Sequence, residues 1–256
     1  FIHSYGKITD LYTTYYAFFH IWLAQSFGKP IYVMPNSFGP FNMPGTAWLT
    51  RKILNRCKLV TVRESKSLVA LQKLGINATM FPDLGFFLEK DSNQPIPVKQ
   101  IRAIHPERKL VAITARPYRF PGETNPDELY RYYIKSMAEF SRWLYSENYL
   151  PIFVEHTLSE TTHESDENCI MEITSKLEDG KFLIISDENY TCKDLKAIYG
   201  EVDYIVGTRF HSIIFSFSEL IPGIAITYGG NKGEGIMHDL GLSDYAIPMH
   251  KIDSDN

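Results

Sequence analysis

Short apolar runs alternate along this chain with longer segments whose apolar positions recur at helical spacing, a pattern that predicts βα units and a parallel sheet. In the first part, Leu11–Phe27 has helical periodicity and closes at Gly28. Ile31–Met34 reads as a strand leading into Asn36-Ser37-Phe38-Gly39-Pro40. Thr46–Cys57 reads as a helix and Leu59–Val62 as a strand ending at Arg63-Glu64. Ser65–Leu74 is helical, with Gly75 just past its end as the expected stop. Ala78–Phe81 then runs as a strand into Pro82-Asp83.

The periodicity fails between Glu89 and Arg108, where three prolines sit among polar residues, and this stretch reads as a crossover. A second βα series follows. Its strands are Leu110–Thr114, Leu150–Val154, Phe182–Ile185, Tyr204–Val206 and Ile224–Thr227. Its helices are Asp127–Ser146, announced by Asn125-Pro126, then Ser165–Leu177, Lys193–Tyr199 and an apolar segment reaching Leu220. The pattern therefore predicts an α/β protein of two Rossmann-like domains facing across a cleft, with boundaries at 1–98 and 99–256. No internal repeat or low-complexity tract interrupts it.

Composition narrows the picture only a little. A chain of 256 residues with 44% apolar and 22% charged residues has enough core for two ordinary domains. The net charge of −4 gives no global attraction to nucleic acid, so any anion site must be a local focus of cations and backbone N–H groups. Cys57, Cys169 and Cys192 are odd in number and lack CxxC spacing, which argues against a disulfide framework and a zinc site. That usage suits a reducing cytoplasm. No apolar run nears the ~20 residues of a membrane span, and no signal peptide is visible. The chain starts at Phe1, in what reads as the end of a strand, so an N-terminally truncated first domain is expected.

In open parallel sheets, ligands bind beyond the carboxyl ends of the strands. The polar residues at the predicted strand ends are therefore the candidates. In the second series these are Arg116, His156, the Arg209-Phe210-His211 triplet, and the turn around Lys232. In the first they are Asn36, Ser37, Arg63 and Glu64. Arg209, where a helix begins, would face outward together with free N–H groups and suit an anion. The plainer readings are a capping arginine, a core histidine at His211 and a surface ion pair at Arg116. The turn Gly229-Gly230-Asn231-Lys232-Gly233 lacks Walker spacing, and Lys232 would meet a phosphate only as a point charge. A metal site from His156, His163 and an acid such as Glu164 or Asp166 lacks HxH or HExxH spacing, and none is expected.

Taken in order, NSFGPF, RES…LQKLG…PDLGF, the strand ending in Arg116, EH with Asp166 downstream, and GTRFH followed by IPGIAITYGGNKGEGIMHDLGL resemble the polysaccharide pyruvyl transferases. The resemblance covers nearly the whole chain and lacks the family's amino-terminal portion. Phe210 stands where leucine is more usual. It implies a glycosyltransferase-B-like fold and transfer of a pyruvyl group from phosphoenolpyruvate to sugar hydroxyls, giving a ketal. The acceptor would be a polysaccharide or its lipid-linked precursor. No cofactor is implied, phosphoenolpyruvate being a substrate.

In that scheme His211 supplies a proton, Arg209 and Arg116 bind the donor anion, and His156 serves as a second acid/base. Phe210, Lys232, Asn36, Ser37 and Arg63 complete the binding candidates. The resemblance implies a cytoplasmic protein, or one peripheral to the inner face of the membrane, and leaves homo-oligomerisation open. The competing readings are a nucleotide-sugar-dependent glycosyltransferase of the same fold and a non-catalytic relative.

Overall fold

The computed structural model describes residues 2–4, 8–90, 97–121, 123–157, 165–229 and 231–252. The chain folds into two units. The first comprises Phe1–Leu84 together with Gly229–Ser243, and the second Gly85–Tyr228 together with Asp244–Asn256. The sequence pattern places the division at 98/99 and has no return to the first unit.

The first unit begins with β1 (Ile2–Ser4) and α1 (Ile8–Ser26), followed by β2 (Tyr32–Asn36), β3 (Phe38–Phe41) and α2 (Thr46–Leu54). β4 (Leu59–Val62), α3 (Ser65–Lys73) and the two-residue β5 (Thr79–Met80) follow. β2, β4 and β5 form a parallel sheet in that order, while β1 pairs with β3. Phe18, Phe38, Leu54 and Leu71 are the largest almost fully buried side chains of its core, joined by Ile53, Val60, Val62 and Ile76. Burying such side chains contributes roughly 1.5–3 kcal/mol apiece before entropy is counted.

In the second unit α4 (Pro97–Ile104) precedes β6 (Lys109–Thr114), α5 (Pro126–Ser146), β7 (Tyr149–Val154) and α6 (Asp166–Thr174). Then come β8 (Leu183–Ile185), α7 (Cys192–Tyr199), β9 (Tyr204–Gly207), α8 (Phe210–Ser218) and β10 (Gly223–Thr227). Helix α9 (Lys232–Asp239) belongs to the first unit, and β11 (Ala246–Pro248) closes the second. α4 corrects the crossover reading: Pro97 stands at a helix start, where its missing N–H costs nothing.

The six strands lie in the order β11-β10-β9-β6-β7-β8, all parallel. Counted from β6, the sheet grows outward to β8 on one side and to β11 on the other. This is the Rossmann order, with its switch point between β6 and β9. The central strands are buried throughout, Leu110 to Thr114 and Leu150 to Val154, because helices cover both faces. α5 has Pro126 at its start with Asp127 and Glu128 in the first turn, where acids meet the positive helix end. It buries Tyr133, Ile134, Met137, Ala138 and Leu144, one helical stripe, against the sheet. Gly223 lets β10 approach β9: an added Cβ would strike the side chain and carbonyl oxygen of Ile205.

Candidate functional site

The switch point of the second unit gathers four strand ends. Register pairs Thr114 with Gly207, so the turns after β6 and β9 leave the sheet side by side. Thr208 N–H donates to the Thr114 carbonyl at 2.9 Å, and the Thr208 hydroxyl lies 2.9 Å from that of buried Tyr133. The Thr114 and Ser212 hydroxyls meet at 2.9 Å, and Ser212 turns back on the Arg209 carbonyl through N–H and Oγ. These bonds fix where α8 begins. An added Cβ at Gly207 would lie 2.7 Å from Ile213 Cδ1, so only glycine fits there without repacking.

Arg209 turns inward from this junction. Its Nε donates to Asp166 Oδ1 at 2.8 Å and Nη2 reaches the same oxygen at 2.6 Å. Asp166 Oδ2 accepts from the backbone N–H groups of His156 at 3.1 Å and Thr157 at 2.9 Å. Asp166 is fully buried and Arg209 is 8% exposed. Burial pushes the Asp166 carboxyl above its usual range, opposed by Arg209 and the two backbone donors. All four contacts come from donors, which favours the carboxylate form.

Around this pair the remaining side chains line the sheet edge. His156 is half-buried; its Nδ1 lies 2.9 Å from Tyr199 Oη, and its ring also contacts Phe215. His211, the second residue of α8, is exposed, with its ring 6.3 Å from that of Phe215. Arg116 is half-buried after β6. Its Nη1 donates to Tyr228 Oη at 2.6 Å and its guanidinium stacks 4.5 Å from the Tyr228 ring. Tyr228 follows β10, so β6 and β10 are bridged at this edge beside β9.

The first unit has a polar cluster of its own at the ends of β2 and β4. The Ser37 hydroxyl donates to Glu64 Oε2 at 2.8 Å and accepts from Arg63 Nε at 2.7 Å. Arg63 Nη1 donates to Asp83 at 2.7 Å. Ser67 donates to the other Glu64 oxygen and accepts from Phe38 N–H at 2.7 Å. Burial pushes the Glu64 carboxyl up, against these hydrogen bonds and the Arg63 charge. Half-buried Lys232 has its ammonium pulled down to about 8, first by burial and then by Arg63. Gly235 brings α9 onto this cluster; a Cβ there would lie 2.8 Å from Glu64 Cγ.

The family model for polysaccharide pyruvyl transferases matches residues 4–230, which takes in residues of both units and every residue of the two polar clusters except Lys232 and Gly235. The chain belongs to the polysaccharide pyruvyl transferase family. The amylovoran biosynthesis protein AmsJ of Erwinia amylovora is 24% identical over 233 residues, 88% of this chain and 55% of that protein. The chain thus spans about half the length of that curated relative.

Among solved structures, Anabaena HepE in complex with UDP and glucose aligns with a TM-score of 0.58 at 14% identity, covering 92% of this chain and 63% of HepE. An alpha,alpha-trehalose 6-phosphate synthase from Burkholderia multivorans gives a TM-score of 0.57 at 11% identity, over 98% and 68%. At these identities the likeness is one of fold: α/β units with parallel sheets, of the glycosyltransferase-B-like kind.

For this pyruvyl transferase family member, the structure corrects the expected orientation of Arg209 and places the other candidates. Arg209 does not face outward; it turns inward and pairs with Asp166. Phe210 is 8% exposed and packs in the core. Ser37 is fully buried, and Arg63 is held between Ser37 and Asp83. Asn36 is half-buried and its Oδ1 accepts from Ser37 N–H. Arg116, His156 and His211 are gathered at the second unit's sheet edge, whereas Lys232, Asn36, Ser37 and Arg63 belong to the first unit.

Sequence reasoning assigned no role to Tyr199 or Tyr228 and weighed Asp166 only as an acid for a metal site that was not expected. Only Asp166 had a signal, its place downstream of the EH motif. His163, Glu164 and Gly230 lie outside the described residues. Among the described residues no group of three His, Cys, Asp or Glu side chains could hold a metal ion. Cys169 is buried and its thiol is pushed up to about 12, chiefly by burial, which makes it a poor nucleophile at neutral pH.

Proposed function

We propose that the protein transfers the pyruvyl group of phosphoenolpyruvate to two hydroxyls of a saccharide acceptor in polysaccharide assembly, releasing phosphate and leaving a cyclic ketal. The observation that carries this reading is the register of β6 on β9, which sets Arg116 and the Arg209-Phe210-His211 turn side by side at the switch point, in a chain of the polysaccharide pyruvyl transferase family. Anionic ligands are bound at such places by cations and helix-terminal N–H groups.

In this reading Arg116 binds the anionic donor, with Tyr228 fixing its guanidinium plane. Arg209 is a positioning residue, and its pair with Asp166 holds the turn from which His211 projects. His211 gives a proton to the methylene carbon of phosphoenolpyruvate, and the resulting oxocarbenium-like centre is attacked by one acceptor hydroxyl. The carbon–oxygen bond to phosphate then breaks, and the second hydroxyl closes the ketal. Of the two hydroxyl protons lost, one balances the new methyl group and the other leaves with phosphate. His156, oriented by Tyr199, receives a hydroxyl proton.

The test is phosphate release and ketal formation by the whole protein with phosphoenolpyruvate and oligosaccharide acceptors. Arg116→Ala should lower kcat/KM by about 10²-fold or more, and His211→Gln should lower kcat by about 10²–10⁴-fold. Wild-type turnover in both variants would end the assignment. Thermal stabilisation by nucleoside diphosphates but not by phosphoenolpyruvate would favour a nucleotide-sugar donor instead.

A further inference from the structure

The turn after β6 bounds, with α5 and α6, a groove of about 740 Å³ in the second unit. All of its lining falls between Pro117 and Glu172. Tyr118 and Tyr130, both half-buried, supply ring surfaces, and exposed Arg119, Asp127, Asn168 and Glu172 stand around them. Tyr130 Oη donates to Glu172 Oε1 at 3.4 Å, which links α5 to α6. None of these six residues has a part in the transfer chemistry proposed above. The groove adjoins the donor candidates through Tyr118. That ring lies 4.9 Å from the ring of Tyr228, and the Arg116 guanidinium lies 5.9 Å from it. One side chain is thus both a wall of the groove and a neighbour of Arg116.

The lining identifies the class of occupant. A sugar ring has an apolar face of C–H groups and a rim of hydroxyls. Tyrosine offers a flat apolar body with a polar tip to such a face. Asp127, Asn168 and Glu172 each end in two coplanar polar atoms, which can take neighbouring hydroxyls in pairs. The volume lies within the roughly 300–1,000 Å³ of ordinary ligand sites. Charge narrows the class further. Of the three charged lining residues two are acids, and Glu123, Glu128 and Glu167 are exposed close by in the chain. From Pro121 to Tyr130 there is no Lys or Arg. An anionic saccharide would meet net repulsion here, whereas an uncharged one would not. The anionic donor is kept to the Arg116 side of Tyr118 by the same charges.

We propose that this groove is the acceptor subsite, and that it takes an uncharged oligosaccharide in preference to a uronate-rich one. Its role as the acceptor site rests on the proposed transfer reaction; the location and the saccharide class rest on the groove. The test is direct binding, without phosphoenolpyruvate, of neutral gluco- and galacto-oligosaccharides of two to six units and of oligogalacturonates of the same lengths. Saturation-transfer NMR and equilibrium dialysis on the whole protein read it.

A neutral oligosaccharide should bind, and oligogalacturonates should bind roughly tenfold more weakly or not at all. Asn168→Trp, at an exposed position, should fill the groove and lower neutral binding by about tenfold or more, with the thermal transition unchanged. Asp127→Asn with Glu172→Gln should weaken neutral binding and narrow the discrimination against oligogalacturonates. Absence of neutral binding, equal binding of the uronates, or wild-type binding by Asn168→Trp would overturn the inference. The two readings fail separately. Groove-dependent sugar binding without any pyruvyl transfer would end the proposed reaction and leave a saccharide site. Transfer with an acceptor KM untouched by Asn168→Trp would leave the reaction and remove the groove from it.

Discussion

Asp166 takes Arg209 on one carboxylate oxygen and the backbone N–H groups of His156 and Thr157 on the other. One buried carboxylate therefore ties the turn after β9 to the loop after β7, across the intervening β6. Both candidate histidines hang from the segments it joins. Removing either partner strands the other charge in the interior, and Asp166→Ala or Arg209→Ala should each cost about 3–5 kcal/mol of stability. Arg209→Met with Asp166→Leu should cost less than the sum of the two. Urea unfolding measures this, and additive losses would contradict the pairing.

Tyr228→Phe should remove the 2.6 Å bond to Arg116 while keeping the stacked ring. A single such bond contributes about 0.5–1.5 kcal/mol. Under the proposed reaction, KM for phosphoenolpyruvate should rise by roughly two- to tenfold with kcat little changed. A donor saturation curve decides it; an unaltered KM would detach Tyr228 from donor binding.

Lys232 has a folded-state pKa of about 8, against an ordinary value of 10.5. Between these two values the unfolded chain holds more protons than the folded one, so stability rises with pH through that window. Below about pH 8 this contribution is lost, because the ammonium must then be charged beside Arg63. Lys232→Met should flatten that rise, as read from chemical unfolding between pH 7.5 and 10.5. An identical slope in both proteins would reject it.

Gly223→Ala should destabilise by about 1–3 kcal/mol, because the new methyl meets the Ile205 carbonyl, which cannot rotate away. Gly28→Ala offers a contrast of different origin. Beyond its chain neighbours nothing lies within 4 Å of where a Cβ would stand, so only its φ of +65° carries a cost. A thermal melt of Gly223→Ala matching wild type would remove close strand approach as the reason for glycine there.

The central strands were legible because a strand covered on both faces is written as an unbroken apolar run, as in Leu110–Thr114 and Leu150–Val154. α4 was hidden because Pro97 reads as a breaker until it is known to stand first in a helix. The strand-end candidates were found by position in the βα pattern, but their orientation was not. Whether Arg209 points out or in depends on Asp166, 43 residues earlier, and no local spacing records that closure. The Arg63–Ser37–Glu64 chain was unreadable for the same reason: each residue is satisfied by partners from another strand or turn. Nor does any local signal assign Gly229–Ser243 to the first unit. Its glycine turn and short helix look like one more βα step.

That assignment has a consequence for biosynthesis. A chain emerging from the ribosome makes β2, β4 and α3 early, yet the Lys66–Glu234 ion pair and the Ser65–Asp239 bond close over 168 and 174 residues. Until α9 is translated, Glu64 lacks the helix backbone that packs on it, and the first unit waits unfinished while the whole β6-to-β10 region is synthesised. Loop closure over such separations is slow. Nascent chains cut before residue 232 should therefore expose the β4–α3 edge to chaperones and proteases long after the second unit has gained its central strands.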